Sequence, residues 1–278
     1  IFFDRKKMNI QSEIFTSFLI TLVAGAATAI GAGMTFFIKR NDFKLFALGM
    51  SFSAGVMVYL SFMDIMPMAT RMICDGNASN AGMGEKPAQL LASAMFFAGV
   101  LAAACIDYFI PEHVGHEMMD KNSPESKRRQ NAGRVGLMTA IALGVHNFPE
   151  GLSVFVTSME NVALGISVGI AIMLHNIPEG VSVALPIYNA TGDKKKAFWT
   201  AALSGLAEPA GAIAAYFILV PYLTPALVGS AMAVTAGIMI FISLDELLPM
   251  AKEYGHEHYG IVGAFLGMFI MSAVSYVF

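Results

Sequence analysis

Two short segments of the chain carry the same order of residues that can bind a metal ion. Each reads His-Asn-x-Pro-Glu-Gly, at 146–151 and again at 175–180. In a helix, the histidine and the glutamate of each copy are four residues apart and therefore share one face. Imidazole nitrogen and carboxylate oxygen suit zinc, iron, manganese and cobalt, and the asparagine amides add neutral donors. The repeated segment therefore predicts a site for a divalent transition metal.

Three glutamates fall inside apolar runs of the sequence: Glu150, Glu179 and Glu208. An ionised side chain at the centre of a bilayer costs about 2.5–3.5 kcal/mol even on insertion scales, so the three together would cost roughly 10 kcal/mol. No predicted span offers a central Lys or Arg as a partner. Protonation would remove the cost, but a bound divalent ion fits the histidines better. One His or Glu alone could equally be a packing contact, and it is the duplication that favours ligands.

The elements that position these residues follow from composition. Hydrophobic residues make up 56% of the 278 residues and charged residues 13%, whereas about a quarter of the residues in a soluble domain are charged. A membrane-crossing helix needs about 20 mainly apolar residues, and the chain contains about eight such runs. They lie near 14–38, 43–69, 88–111, 133–158, 162–188, 196–219, 225–251 and 259–278. The predicted fold class is an all-α integral membrane protein.

Basic residues in the connections predict the orientation of these spans. With eight spans, twelve of the 17 Lys and Arg residues fall on one side of the membrane, and basic residues stay preferentially in the cytoplasm. Both termini are then expected outside the cytoplasm, in a plasma membrane or a bacterial inner membrane. The whole chain, 1–278, is predicted as a single transmembrane domain with a cytoplasmic loop at about 112–132, between the third and fourth spans.

Internal repetition predicts how the spans are organised. Residues 55–69 reappear as 237–251 at a constant offset of 182. The third and eighth spans give a fainter echo, which chance would explain about as well. The two copies of the stronger repeat run in opposite directions, and inverted repeats are typical of transporters. The sequence therefore predicts a 3+2+3 organisation, in which inverted three-helix repeats flank a central pair that carries the metal ligands.

Prolines stand beside the predicted ligands in three spans. Proline has no N–H and clashes with the carbonyl four residues back, so it kinks or breaks a helix. We therefore predict that Pro149, Pro178 and Pro209 interrupt the fourth, fifth and sixth spans. Such interruptions would expose backbone oxygens to the metal, as in the broken helices of transporters.

The paired His-Asn-x-Pro-Glu-Gly segments resemble the ZIP family of zinc and iron transporters, and most of all its ZupT-like bacterial branch. The resemblance covers nearly the whole chain and implies eight spans, termini outside the cytoplasm, and a site in the fourth and fifth helices that can take two metals. A methionine in the second span matches a position where some members place a metal-contacting methionine. The implied ligands are His146, Asn147, Glu150, His175, Asn176, Glu179, Glu208 and Met57.

Two positions depart from the pattern of some family members. Those members have a glutamine where this chain has His175 and an acidic residue where it has Asn176. The chain therefore lacks one carboxylate that could bridge two ions. Three negatively charged glutamates would then face two divalent ions, which leaves a positive balance. We expect one well-held metal and a second that is held more weakly.

The predicted function is transport of divalent transition metals into the cytoplasm: zinc foremost, with iron, manganese, cobalt and cadmium as further substrates. A metal exporter and a passive metal channel remain alternatives, because these residues do not determine the direction of metal transport. An intramembrane metalloprotease would need a His-Glu-x-x-His segment, which the chain lacks, so we expect neither an enzyme nor an enzyme cofactor. Divalent metal ions and the lipid bilayer are the expected partners. A homodimer is left open, and a net charge of -3 gives no reason to expect nucleic acid.

Overall fold

Helices account for all the regular structure in the described part of the chain. The computed structural model describes residues 2–39, 42–75, 84–109, 124–160, 162–219, 224–254 and 257–277. The predicted all-α fold class is confirmed within these ranges. The helices are α1 (Phe2–Gly33), α2 (Phe43–Leu60), α3 (Met66–Asp75), α4 (Glu85–Phe109), α5 (Pro124–Glu160), α6 (Val162–Thr191), α7 (Lys194–Ser204), α8 (Ala207–Ala214), α9 (Pro225–Phe241), α10 (Leu248–Tyr254) and α11 (Glu257–Val277).

Polar residues at the helix starts explain several of these boundaries. Asp42 caps α2 by accepting a hydrogen bond from the Leu45 amide, and Thr224 caps α9 in the same way. Between α6 and α7, Gly192 adopts φ 73°, a conformation that costs glycine little. Asp193 then accepts hydrogen bonds from two amides of α7. These caps satisfy N–H groups that a helix start otherwise leaves without partners.

Among the residues that the structure describes, six helical stretches are long and apolar enough to cross a membrane. They are Ser12–Phe36, Phe43–Asp75, Glu85–Cys105, Val168–Thr191, Pro225–Lys252 and His258–Tyr276. The two other predicted spans correspond to α5, which carries the first ligand segment, and to α7 with α8, which are separate short helices. The chain is therefore a multi-pass helical membrane protein, and the total of eight crossings stays a prediction.

The helix is interrupted at one of the three predicted prolines. The α7 helix ends at Ser204 and α8 begins at Ala207, next to Pro209. The predictions for Pro149 and Pro178 were wrong, because both prolines lie inside continuous helices. Packing on several neighbouring helices can hold a helix together across one missing hydrogen bond. The α5 helix also begins at Pro124, within the stretch predicted as a loop, and residues 112–123 lie outside the described part of the chain.

Glycines allow the backbone of α1 to contact that of α6, and the backbone of α5 to contact that of α8. At each of four glycines, an added Cβ would overlap a backbone carbonyl oxygen of the facing helix. The pairs are Gly31 with Ile177, Gly180 with Thr28, Gly211 with Phe148, and Gly151 with Glu208. Small residues permit this closeness, which joins α1, α5, α6 and α8 into one packed group around the predicted ligands.

A second set of glycines joins α2 to α11 and α4 to α9 in the same manner. Here too an added Cβ would overlap a carbonyl oxygen of the facing helix. The pairs are Gly55 with Ala264, Gly267 with Phe52, Gly99 with Val234, and Gly237 with Phe96. These helices make a second packed group, which meets the first where α2 packs on α6 and α5 on α9.

Within the second group, the contacts of α2 with α11 match those of α9 with α4 at fixed sequence offsets. The contact of Gly55 with Ala264 corresponds to that of Gly237 with Phe96, at offsets of 182 and 168 residues. A π-helical turn at Ser61–Ile65 likewise has a counterpart at Ile242–Leu247. Matched contacts of this kind are what inverted repeats would produce, and they support that interpretation of the sequence.

Candidate metal centre

Three side chains that can bind metal meet between α5 and α6. Glu150 comes from α5, and His175 and Glu179 come from successive turns of α6; one ligand atom of each lies within 4.8 Å of the other two. The Nε2 atom of His175 is 3.3 Å from Glu150 Oε2 and 3.8 Å from Glu179 Oε1. All three residues are buried, with exposed fractions of 4%, 3% and 0%. The sequence motif thus brings together two carboxylates and an imidazole in a space that excludes water.

Glu208 joins this group through Asn176. The amide nitrogen of Asn176 donates one hydrogen bond to Glu208 Oε1 and another, of 2.8 Å, to the backbone carbonyl of Ala24. Glu208 stands in the first turn of α8, directly after the interruption that follows α7. The interruption therefore carries a third buried carboxylate to the edge of the site, and Asn176 ties together α1, α6 and α8.

Three further predicted ligands are Asn147, His146 and Met57, and the structure describes the side chains of the first and the third. Asn147 is fully buried, and neither polar atom of its side chain has a hydrogen-bond partner among the described residues. His146 belongs to α5, but its side chain lies outside the described part of the chain. Met57 is fully buried in α2. One turn before it, Ser53 donates a 2.7 Å hydrogen bond to the Pro178 carbonyl of α6. Residues four apart share a helix face, so Met57 belongs to the face that α2 turns toward α6.

Several buried polar atoms around the three-residue group have no hydrogen-bond partner in the described part of the protein. They are His175 Nδ1, Asn176 Oδ1, Glu208 Oε2 and both amide atoms of Asn147. Buried polar groups usually have a partner in the protein or in ordered water. The oxygen atoms and the imidazole nitrogen left in this state can bind a divalent cation, whereas the amide nitrogen of Asn147 can only donate a hydrogen bond.

Two contacts at this site were not anticipated from the sequence. The carbonyl of Ala24 anchors Asn176, and the hydroxyl of Ser53 anchors the Pro178 carbonyl. A backbone carbonyl carries no signal in a residue pattern, so the first contact could not be predicted. The only signal for the second was that Ser53 and Thr235 keep the 182-residue offset two residues before the repeated stretches, which marks both positions as small and polar.

The carboxylates near the helix ends make separate contacts. Asp64 accepts a 2.7 Å hydrogen bond from Ser275. Asp107, Asp245 and Glu246 form a second acidic group, and Arg134 pairs with Asp107. Asp64 and Glu246 are related by the repeat offset of 182 residues. The structure groups neither set with the three central side chains, and exposed acidic groups are common without a metal.

The fold and the central group define a multi-pass helical membrane protein with buried side chains that can hold a metal ion. The family model described as ZIP zinc transporter matches residues 115–275. The chain is 44% identical to the zinc transporter ZupT of Streptococcus mutans over 262 residues, which cover 94% of this chain and 97% of that protein. It is 46% identical to ZupT of Campylobacter jejuni, over 94% of this chain and 95% of that protein.

The chain therefore belongs to the ZIP family, and the resemblance of its paired segments to that family is confirmed. The ZupT of Akkermansia muciniphila gives the same result at 43% identity, over 96% of this chain and 99% of that protein. ZIP proteins are transporters, so membership also places the chain outside the enzymes that the sequence left as a remote alternative.

Proposed function

We propose that this chain imports divalent transition metal ions, zinc foremost, through the group formed by Glu150, His175 and Glu179. The observation that carries the proposal is the meeting of these three buried side chains within 4.8 Å. Zinc is the first substrate because the similar proteins from three bacteria are named zinc transporters. Iron, manganese, cobalt and cadmium are further candidates, since all accept imidazole or carboxylate ligands.

The other predicted residues complete the proposed site. Glu208 supplies a third carboxylate, and Asn176 holds it in place through their hydrogen bond. Asn147 and His146 supply donors from α5, and Met57 supplies a thioether from α2. One ion is held by Glu150, His175 and Glu179, and a second is held more weakly because Asn176 cannot bridge the two ions as a carboxylate would.

The transport step we propose is alternating access. The ion enters from outside, loses water, binds at the centre and leaves to the cytoplasm after one group of helices moves against the other. Two features support this division. The closest backbone contacts lie within the group of α1, α5, α6 and α8 and within the group of α2, α4, α9 and α11. All the proposed ligands except Met57 are carried by the first group, so they can move together.

Uptake into proteoliposomes tests the site. Glu179→Gln should lower the initial rate of zinc uptake by about a hundredfold, because the site loses a charged ligand. Glu85→Gln is the matched control, since Glu85 is an exposed residue at the start of α4, and its uptake should equal that of the unmodified chain. Undiminished uptake by Glu179→Gln would overturn the assignment.

The same vesicles distinguish import from the two alternatives. Chains inserted in one known orientation should load zinc only when the metal is offered on the face that carries the termini. Uptake from the opposite face would indicate an exporter. A rate that rises linearly with zinc, without saturation at any concentration, would indicate a passive channel. Uptake should also fall as the pH is lowered, because protons compete with the metal for imidazole and carboxylate ligands.

A further inference from the structure

Buried polar residues around the metal centre occur in matched pairs. Asn147 and Asn176 are related by the 29-residue offset of the ligand segments. Two glycines give a further pair, because Gly25 lies against the carbonyl of Gly205 and Gly205 lies against the carbonyl of Gly25. This reciprocal contact relates α1 to the α7–α8 segment at an offset of 180 residues.

Thr28 occupies the position in α1 that Glu208 occupies in the α7–α8 segment. Each stands three residues after its glycine. The backbone of Glu208 packs on Gly151 of α5, and that of Thr28 packs on Gly180 of α6. Glu208 accepts a hydrogen bond from Asn176. By this correspondence we expect Thr28 to face Asn147, as Glu208 faces Asn176.

The two pairs differ in whether their members are hydrogen-bonded to each other. Asn176 donates to Glu208 and to the Ala24 carbonyl. Among the described residues, however, no hydrogen bond is made by the amide of Asn147 or by the hydroxyl of Thr28, although both side chains are fully buried. The Thr28 hydroxyl lies beside the interruption between α7 and α8, 2.9 Å from where a Cβ on Gly205 would be.

Side-chain length explains the difference. The glutamate oxygen is three bonds from its Cβ, whereas the threonine oxygen is one bond away. Thr28 therefore reaches about 2.5 Å less far than Glu208 does. A gap of that size between two polar residues fits one water molecule, which needs polar partners to be held in a buried site.

We propose that Thr28 is a further metal-site residue, whose hydroxyl acts with Asn147 to hold the coordinated water of a second divalent ion. The donors on this side are neutral and oxygen-rich, which suits an ion that keeps part of its hydration. The inference rests on the proposed function, because it assigns a residue to the weaker of the two ion positions. It also explains why this buried hydroxyl and this buried amide have no hydrogen-bond partner among the described residues.

Zinc titration of the purified chain in detergent tests the proposal. The unmodified chain should bind one zinc tightly and a second more weakly. Thr28→Val, which removes the hydroxyl and keeps the shape, should weaken the second equivalent by about tenfold, the effect of one hydrogen bond to a charged group. Thr28→Ser, which keeps the hydroxyl, should bind both equivalents as the unmodified chain does.

Thr21 provides the matched control. It lies two turns earlier in α1 and is equally buried, but its hydroxyl already donates to the Ser17 carbonyl at 2.9 Å. Thr21→Val should leave both zinc equivalents unchanged. In the absence of zinc, Thr28→Val should melt at the same temperature as the unmodified chain or higher, because it removes a buried hydroxyl that is bonded to none of the described residues. A simple structural role for Thr28 would leave zinc binding unchanged.

The outcomes separate this inference from the proposed function. Identical binding of both equivalents by Thr28→Val, or a single equivalent in the unmodified chain, would overturn the role of Thr28. Loss of the tight equivalent in Glu150→Gln supports the central site whatever Thr28 does, and its retention would overturn the central site alone. If Thr28→Val does not purify as a single species, Thr28→Ala makes the same deletion and is judged by the same binding curve.

Discussion

The candidate metal centre has two halves, one around the segment 146–151 of α5 and the other around the segment 175–180 of α6. The two halves have the same sequence motif but different hydrogen bonding. In the α6 half, Asn176 is held by Glu208 and by the Ala24 carbonyl, and Ser53 is bonded to the Pro178 carbonyl. In the α5 half, Asn147 has no hydrogen-bond partner among the described residues. The same holds for Thr235, which matches Ser53. Protein contacts therefore orient the amide of Asn176, whereas no described residue is hydrogen-bonded to the amide of Asn147.

This contrast shows that identical sequence segments do not acquire identical surroundings. The surrounding helices decide how each segment is used, because α1 offers Thr28 where α8 offers Glu208. A carboxylate can both orient an asparagine and bind a metal, whereas a hydroxyl one bond from Cβ is too short to do both. Binding energy in the α6 half is not spent on ordering the ligands, which is the advantage of a preorganised site.

The largest effect is expected when Glu208, which serves the α6 half, is replaced by threonine, the residue type of its counterpart Thr28. Glu208→Thr removes a buried carboxylate and the partner of Asn176, so zinc affinity should fall by about a hundredfold. Zinc titration and proteoliposome uptake should change together. Thr28→Ser, a small change at the matched position, serves as the control. Unchanged affinity in Glu208→Thr would show that the contrast between the halves has no bearing on binding.

A smaller effect is expected on the stability of the metal-free protein, where replacement of Asn176 should cost more than replacement of Asn147. Asn176→Ala leaves Glu208 Oε1 and the Ala24 carbonyl without their donor, which should destabilise the fold by about 2 kcal/mol. Asn147→Ala breaks no hydrogen bond to a described residue and should be neutral or stabilising. Thermal unfolding in detergent without zinc measures both. Equal melting temperatures for the two variants would remove the basis for calling one half preorganised.

Asn176→Asp sharpens the comparison by adding the missing bridging carboxylate. The second zinc should then bind about tenfold more tightly, because the added charge offsets part of the second ion's charge. The stoichiometry should move from one tight and one weak equivalent toward two tight ones. Equal two-metal binding curves for the variant and the unmodified chain would contradict this expectation.

The smallest effect is expected on stability when Ser53 of α2 or its counterpart Thr235 of α9 is replaced. Ser53→Ala removes a 2.7 Å hydrogen bond to the Pro178 carbonyl, so it should cost about 1 kcal/mol of stability. Thr235→Val removes a hydroxyl without a described partner and should cost nothing measurable. Thermal unfolding of the two variants side by side checks the difference, which would be refuted by an equal loss in both.

The sequence predicted the fold class and part of the geometry of the repeated segments. Long apolar runs predict membrane helices, and a spacing of four residues predicts that His175 and Glu179 share a face, which the structure confirms. The ligand segments also have to meet, because they lie in consecutive spans that a short connection makes neighbours. The structure places Glu150 beside His175 accordingly.

The remainder depended on contacts that the sequence does not encode locally. Pro149 and Pro178 were expected to break α5 and α6, but both helices continue through them. The rule for proline describes an isolated helix, and neighbouring helices can sustain the turn. The different states of Asn147 and Asn176 also could not be predicted from two identical segments. They depend on α1 and α8, whose relationship rests on few shared residues, Gly25 with Gly205 and Gly31 with Gly211.

The glycine contacts also have a consequence for local opening of the backbone. Where Gly31, Gly151, Gly180 and Gly211 lie directly against carbonyls of the facing helix, two helices can separate only by losing a continuous seam of contacts at once. Fluctuations of one helical turn are therefore suppressed there, and opening is coupled to unfolding of the whole group. Amides along these seams should exchange with solvent deuterium among the most slowly in the protein, with or without a bound metal.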